Sequence, residues 1–284
     1  KAVAEIQTID SSNTLGAEQI TAELRALSEA YGVDIVEQAE AAYQTLSNQV
    51  AKGAENFIFL NEANKLAVAK LSTTDEAVQI LTASINAYGL NASDSAEISA
   101  SLFKTIELGR TKLGELANIY GRVAVPASQL GVSFQEVNAA IATLTINGVK
   151  STEAITFLRN IMLKFLKPTD ELKEILNDAG FASGAAALQA LGFGGAMELV
   201  ERSTKGAVGE IAEAFGRIRA ITGALNFTGE GLERYNKILN QVSTDSKSFA
   251  QAQETVLNSL GKQVDKVREE LENFFEQDLA KKYL

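Results

Sequence analysis

The 284-residue sequence contains no cysteine, no histidine and no tryptophan. It therefore lacks thiolate nucleophiles, imidazole bases, disulfide bonds and the usual side-chain ligands of zinc, copper and haem. It also lacks the indole ring that would stack on a sugar. We therefore expect a protein that is not an enzyme and that uses no cofactor and no metal. The alternative is a metal site with oxygen ligands alone, although no segment has the spacing of a calcium loop.

Proline and aromatic residues are scarce. The chain has two prolines, Pro126 and Pro168, and 7% aromatic residues, whereas hydrophobic residues make up 46%. Alanine, leucine, isoleucine and valine supply most of the apolar content, which suits close-packed helices better than sheets. The best candidate for a membrane-spanning segment, residues 185–197 with their neighbours, lacks charge but falls short of the roughly 20 apolar residues of a membrane-spanning helix and is interrupted by three glycines. The composition therefore predicts an all-α fold.

Basic residues are few in the first part of the chain. Residues 1–100 hold 5 basic and 14 acidic side chains, and the net charge of the whole chain is −10. Surfaces that bind nucleic acid depend on lysine and arginine, because these residues displace counterions from phosphates. We therefore expect no sequence-specific binding of nucleic acid, and the acidity also suits a soluble helical domain.

Apolar residues recur at helical spacing through most of the sequence. Over residues 17–31 they step by three or four, and Gly32 follows where a left-handed helix cap is expected. Pro168 separates two apolar segments and predicts one helix over residues 152–166 and another over residues 169–178. Two pairs have the spacing of a capping box at a helix start: Thr73 with Glu76, and Ser133 with Glu136.

Three segments share a weak internal repeat, in which an acidic residue follows a glycine by five positions and begins a helix. The pairs are Gly32 and Glu37, Gly89 and Asp94, and Gly131 and Glu136. We interpret the repeat as stacked helical hairpins, and the alternative is a chance resemblance among alanine-rich helices. The helices are predicted to join at Gly32, Gly89, Gly131, Gly180 and Gly229. The predicted core includes Leu24, Ile85, Leu102, Leu144 and Leu158.

From about residue 244 the apolar spacing changes to the alternation of three and four that is typical of coiled-coil heptads. The seam consists of Leu257, Leu260, Val264, Val267, Leu271 and Phe274. Charged residues surround it, so the segment is predicted to associate with a partner helix. The alternative is a long terminal helix that packs on its own domain. We accordingly divide the chain into a helical region over residues 1–243 and a long helix over residues 244–284.

Two further patterns could suggest chemistry but favour a structural role instead. The glycines of LGFGGAME, residues 191–198, lack the preceding strand and the following Gly-Lys-Ser/Thr of a phosphate loop, so they predict a turn between helices. The neighbouring carboxylates Asp75 and Glu76, like Glu269 and Glu270, would serve as an acid–base pair only in a cleft that moves their pKa values apart. On amphipathic helices such carboxylates are usually solvated.

Residues 130–168 resemble the core region of phage tail tape measure proteins. Residues 88–90 with 102–117 resemble the preceding block of that family, and residues 213–229 resemble the following one, so the similarity covers most of residues 1–250. The most recognisable positions are Gly131, Val132, Ser133, Phe134, Leu144, Gly148, Ala154, Leu158 and Pro168.

This resemblance implies a structural protein of the virion that lies in the lumen of the tail tube, sets tail length and leaves ahead of the DNA at infection. It implies four kinds of partner: further copies of the chain in a coiled-coil trimer, the tail tube protein, tail assembly chaperones and the tail-tip or baseplate hub. Assembly would take place in the host cytoplasm, and contact with the host membrane would follow at ejection. No active site is implied, and the motif residues would be structural.

The family would lead one to expect a long helical ruler beyond residue 284, so we expect this sequence to be part of a larger protein. A ruler must lie along a narrow tube, whereas the glycine pattern favours compact hairpins. As one compact globule the chain would have a radius of gyration of roughly 19 Å, against about 430 Å of length as a single helix. Residues 1–243 are therefore predicted not to measure, and to lie at a tail end or to be packed differently during assembly or ejection. Two alternatives are an unrelated helical-repeat adaptor and a tail-borne cell-wall hydrolase.

Overall fold

The computed structural model describes residues 2–9, 15–245 and 247–283, with no side chains described at positions 2, 260 and 276–283. All regular structure in these ranges is helical, which confirms the predicted all-α fold. Two short 3-10 helices lie at Ala92–Asp94 and Leu225–Phe227. The α-helices are α1 (Ala2–Ile9), α2 (Ala17–Tyr31), α3 (Ile35–Ser47), α4 (Ala54–Ala69), α5 (Thr74–Tyr88), α6 (Ser95–Leu108), α7 (Leu113–Ala117), α8 (Gly121–Gln129), α9 (Phe134–Ile146), α10 (Ser151–Leu166), α11 (Asp170–Asp178), α12 (Gly184–Ser203), α13 (Val208–Phe215), α14 (Ile218–Ala224), α15 (Glu230–Thr244), α16 (Lys247–Leu257) and α17 (Leu260–Tyr283).

The helix ends follow local sequence signals. Gly32 and Gly89 end α2 and α5 in the left-handed conformation, which glycine adopts without a Cβ clash. Gly131, Gly180 and Gly229 also have positive φ angles. The five predicted joints between helices are therefore confirmed.

The internal repeat corresponds to a repeated helix cap. In each segment the polar residue two positions after the glycine shares a cap hydrogen bond with the acidic residue three positions later, at a helix start. The Glu37 N–H donates to Asp34 Oδ1, the Asn91 N–H donates to Asp94 Oδ2, and the Glu136 N–H donates to Ser133 Oγ. Both predicted capping boxes, at Thr73 and at Ser133, are present. In the middle segment the second helix, α7, has only five residues, so the three segments do not form hairpins of equal size. What they share is the way in which the first helix of each segment begins.

The chain forms two compact units. Residues 1–99 and 246–284 make the first, and residues 100–245 make the second, with the boundary inside α6. In the first unit α4 packs against α2, α3, α5 and α16, and α17 packs on α2. In the second unit α9 packs against α8, α10, α12 and α15, and α10 also contacts α14. The division at residue 244 into a core and the start of a ruler concerns function and stays a prediction.

Apolar side chains fill the interior of each unit. The predicted core residues Leu24, Ile85, Leu102, Leu144 and Leu158 are all buried. The second unit also contains an aromatic cluster of Phe193, Phe227 and Tyr235, whose rings meet edge to face at centroid distances of 4.9 to 5.7 Å. Such pairs add about 0.5–1.5 kcal/mol each beyond burial of their area.

Buried amides connect three helices of the first unit. The Gln38 amide nitrogen donates to Asn64 Oδ1 at 2.8 Å, and the Asn64 amide nitrogen donates back to Gln38 Oε1 at 2.9 Å. The Thr74 hydroxyl also donates to Asn64 Oδ1 at 2.8 Å. All three residues are buried. Since a buried polar group without a partner is costly, this network fixes α3, α4 and the start of α5 against one another.

Candidate functional site

The motif residues surround α9 and α10 in the second unit. Five are buried apolar side chains: Val132, Phe134, Leu144, Ala154 and Leu158. Gly131 and Gly148 have φ angles of 77° and 89° in the turns on either side of α9. Ser133 caps α9, and Pro168 lies between α10 and α11. This placement suits the structural role predicted for them.

Glu136 connects the cap of α9 to a kink in α12. Its Oε2 atom accepts hydrogen bonds from the backbone N–H and the hydroxyl of Ser133, both at 2.9 Å. Its Oε1 atom accepts the Phe193 N–H at 2.7 Å. That N–H is available because Gly192, at φ 70° and ψ 177°, interrupts the helical path of α12. The predicted turn in LGFGGAME is thus present, and a distant glutamate holds it, which the sequence pattern did not predict.

The Glu136 carboxylate also affects the ionisation of Tyr235 in the aromatic cluster. Burial, and then the nearby negative charge of Glu136, raise the pKa of Tyr235 well above its ordinary value of 10.0. The phenol therefore stays neutral at physiological pH and serves as packing. The absence of a side chain at Gly194 allows α12 to pack closely against Tyr235, because a Cβ atom there would lie 2.8 Å from Tyr235 Cε1.

An open cleft of about 570 Å³ borders the start of α10 and is lined by Arg110, Glu115 and Lys150, among others. The Ser151 hydroxyl donates to Glu115 Oε2 at 2.6 Å, and the Thr111 hydroxyl lies 2.8 Å from the Ser151 hydroxyl. A carboxylate thus already lies beside the helix N-terminus, where an exogenous anion would bind. The arrangement stabilises the start of α10.

The adjacent carboxylates considered for acid–base chemistry have structural contacts. Asp75 accepts a hydrogen bond from the Gln79 amide at 2.7 Å, and Glu76 completes the capping box of α5. Glu270 is exposed, whereas Glu269 packs towards α2. These contacts give neither pair the arrangement of a general acid beside a general base.

The predicted heptad seam lies on the outer surface of α17. Val264, Val267, Leu271 and Phe274 are 64%, 53%, 52% and 63% exposed, and the next residue, Phe275, is 60% exposed. Leu257 is half-buried at the end of α16, and the side chain of Leu260 lies outside the described residues. A contiguous apolar stripe of this kind is typical of an interaction surface. No helix in the described ranges combines the length and the hydropathy that crossing a bilayer requires.

The opposite, polar face of α17 packs on α2. Lys262 Nζ donates to the Tyr31 carbonyl at 3.1 Å, so a cation lies at the C-terminal end of α2, where the helix dipole favours it. Asn273 is 3% exposed and its amide donates to Glu29 Oε1 at 3.3 Å. In heptad register both residues lie away from the seam. The helix therefore packs on its own unit, as the alternative interpretation proposed, while the apolar seam faces outward.

Three carboxylates meet in this contact. Oxygens of Asp34, Glu269 and Glu272 lie within 4.8 Å of one another, and the Ser28 hydroxyl donates to Glu269 Oε2 at 3.4 Å. Burial, followed by the charges of Glu272 and Asp34, raises the pKa of Glu269 above its ordinary value. The negative charge of Glu269 therefore opposes the packing of α17 on α2.

Comparison with known proteins extends this description. Residues 21–207 match the model of a family described as phage-related minor tail protein. The chain is 24% identical over 282 residues to a probable tape measure protein of Clostridium phage phiCD119, an alignment that covers 96% of this chain and 30% of that protein. It is 21% identical over 237 residues to the tape measure protein of Pneumococcus phage Dp-1, with 81% of this chain and 20% of that protein covered. The chain thus spans less than a third of either relative, and no solved structure matches it.

Proposed function

This chain belongs to the family of phage-related minor tail proteins, and we propose that it is a folded region of a tape measure protein. The observation that carries the proposal is that similarity to two phage tape measure proteins extends along most of the chain. The role is structural, and the motif residues contribute by building the α9–α10 core and the contact between α9 and α12.

In this proposal the folded region does not itself measure the tail. A compact unit the size of residues 100–245 has a radius of gyration of about 15 Å, whereas the same residues as one straight helix would extend for about 220 Å. Folding therefore removes most of the length that a ruler would use. The region would instead lie at one end of the tail, and the heptads of α17 would lead into the measuring part.

The proposed partners are those that the resemblance to the tape measure family implies. Copies of the chain would associate through the outward seam of α17 as a trimer, the number that the family resemblance implies. The tail tube protein, the tail assembly chaperones and the tail-tip hub would contact the folded region or the ruler. The protein would lie in the tube lumen of the virion after assembly in the host cytoplasm. Passage out of the tube, and contact with the host membrane, would occur at ejection.

The test compares two changes in phage that carry the intact parent gene. Deletion of helical residues from the ruler should shorten tails by about 1.5 Å per residue, as seen by electron microscopy. Leu144→Asp places a charge in the core of the second unit without changing the number of residues, and it should abolish tail assembly. Any tails that form with this variant should keep the normal length.

The control is Val208→Asp, because Val208 is an exposed valine of the same unit, and this variant should assemble normal tails. In-frame deletions within residues 100–245 that give intact tails, shortened in proportion to the number of residues removed, would contradict the proposal. Such a result would assign this region to the ruler itself.

A further inference from the structure

Two adjoining clefts on the second unit form one surface. One of them, about 490 Å³, lies between α8 and α10, and the other, about 460 Å³, lies at the end of α10. Leu163 lines both clefts. We call this surface the basic groove, because every charged side chain that lines it is basic: Arg122, Arg159, Lys164, Lys167 and Arg217.

The basic groove contrasts with the chain as a whole, which has 36 acidic and 26 basic side chains. Some cations elsewhere in the same unit pair with carboxylates, such as Lys104 with Asp245 at 2.8 Å and Lys173 with Asp170 at 3.0 Å. Within the part of the chain that the structure describes, none of the five groove cations takes part in an ion pair. The local charge is therefore positive and is not balanced by ion pairs.

An apolar strip lies among these cations. Val125 of α8 and Leu163 and Leu166 of α10 are large apolar side chains that remain exposed. On α10, Arg159, Leu163 and Leu166 are spaced by four and three residues, so they lie along one side of the helix. The groove thus combines an apolar strip with basic side chains around it. A ligand that is apolar on one side and acidic at its edges would contact both parts.

We propose that the basic groove binds a short acidic amphipathic helix of another protein. From Arg159 to Lys167 the groove follows α10 for about 12 Å, which matches about two turns of a partner helix. Leucine or isoleucine side chains of that helix would contact the apolar strip, and flanking glutamates would pair with the cations, in the mode by which amphipathic helices bind grooves. Nucleic acid fits less well, because no aromatic side chain lines the groove to stack on a base and the exposed leucines would face phosphates. The inference rests on the second unit alone and not on the tape measure proposal.

The experiment measures binding of a fluorescent synthetic helix by anisotropy, with the whole chain as the receptor. The probe is a peptide of about 18 residues with leucines at helical spacing of three and four on one face and glutamates elsewhere. A peptide of the same composition but scrambled order, and a DNA duplex of about 20 base pairs, are the comparison ligands. The chain should bind the amphipathic peptide more tightly than either, and binding should weaken as salt is added.

Two groove variants and one control identify the surface. Arg159→Glu with Lys167→Glu should weaken peptide binding at least about tenfold, and so should Leu163→Ser, because the first removes charge and the second removes apolar contact. Arg219→Glu with Lys237→Glu makes the same charge change at exposed cations that do not line the groove and should have little effect. Thermal unfolding followed by circular dichroism checks that each variant is folded.

Four outcomes of the binding experiment would overturn the inference: no binding of the peptide, equal binding of the scrambled peptide, tighter binding of the duplex, or equal losses in groove and control variants. Sedimentation of the unliganded chain tests a further occupant. If Leu163→Ser changes its oligomeric state, a second copy of the chain occupies the groove and the assignment to another protein is wrong.

Discussion

At the scale of single residues, the stability of the first unit depends on a few buried polar side chains that are hydrogen-bonded to one another. Asn64 is the centre, since its amide bonds to Gln38 in both directions and accepts the Thr74 hydroxyl. Its nitrogen donates additionally to the Leu60 carbonyl at 2.9 Å. Each of these hydrogen bonds adds little to the free energy of unfolding by itself, but loss of the Asn64 side chain would leave several buried groups without a hydrogen-bond partner.

Asn64→Ala should therefore lower the free energy of unfolding by about 2–5 kcal/mol. The measurement is urea denaturation, in which the midpoint should fall while the slope stays the same. The double variant Asn64→Leu with Gln38→Leu should recover part of the loss, because it removes both amides together. Asn48→Ala, at an exposed asparagine that ends α3, is the control, and a similar loss from it would contradict the argument.

At the scale of elements, glycine has different effects depending on the backbone it supports. At Gly192 the positive φ angle makes the kink in α12, and a Cβ atom would lie 2.5 Å from Glu136 Oε1. At Gly209, inside α13, nothing lies within 4 Å of a Cβ atom, and φ is not positive. Replacement by alanine should therefore lower the stability of the second unit at Gly192 and raise it at Gly209.

Gly192→Ala should destabilise the second unit by about 1–3 kcal/mol, since it strains the backbone and displaces Glu136 from the Phe193 N–H. Gly209→Ala should stabilise the unit by about 0.4–1 kcal/mol, because alanine restricts the unfolded chain. Differential scanning calorimetry should show a lower melting temperature for Gly192→Ala and a higher one for Gly209→Ala. A fall in melting temperature of equal size for both would show that the kink is not specifically required.

The contact between α17 and α2 should depend on pH. Folding raises the pKa of Glu269 above its ordinary value of 4.5, so the folded chain binds this proton more readily than the unfolded chain. The ionised carboxylate consequently weakens the contact at neutral pH, and the contact should strengthen as pH falls through the raised pKa towards 4.5. Hydrogen exchange of the α17 amides, corrected for the intrinsic rate, measures this change.

Glu269→Gln should protect the α17 amides at neutral pH and should reduce their dependence on pH, because glutamine can still accept the Ser28 hydroxyl. Glu270→Gln is the matched control, since Glu270 is exposed on the same helix. Equal protection from both substitutions would mean that net charge, and not the carboxylates that face α2, governs the contact.

At the scale of the whole molecule, the outward seam predicts self-association. Val267→Glu with Leu271→Glu should keep the chain monomeric at concentrations up to about 1 mM, where the unchanged chain should form oligomers by sedimentation. Val36→Glu is the control, because Val36 is 55% exposed, much like Val267 at 53%, but lies on α3. An unchanged chain that is monomeric throughout, or oligomers that survive the seam variant, would contradict the prediction.

The sequence by itself determined the all-α class, several helix ends and the family, whereas the single long helix predicted over residues 244–284 is interrupted at residues 258–259, between α16 and α17. Helix formation depends on residues within about four positions, so apolar spacing, the caps at Thr73 and Ser133 and the left-handed glycines were sufficient. The ordered motif blocks were sufficient for the family, because their order does not depend on which helices touch. Leu144 and Leu158 could be placed in the core for the same local reason, since each lies on the apolar face of a periodic segment.

Only the tertiary structure decided which distant groups meet. Glu136 and Phe193 are 57 residues apart, and no spacing rule links a cap to a kink in another helix. The basic groove likewise combines residues of α8 and α10 with Arg217 at the start of α14. Periodicity shows that α17 has an apolar and a polar face, but not which face its own unit covers. Here the polar face packs, because Lys262 and Asn273 find acceptors on and beside α2 that no local pattern specifies.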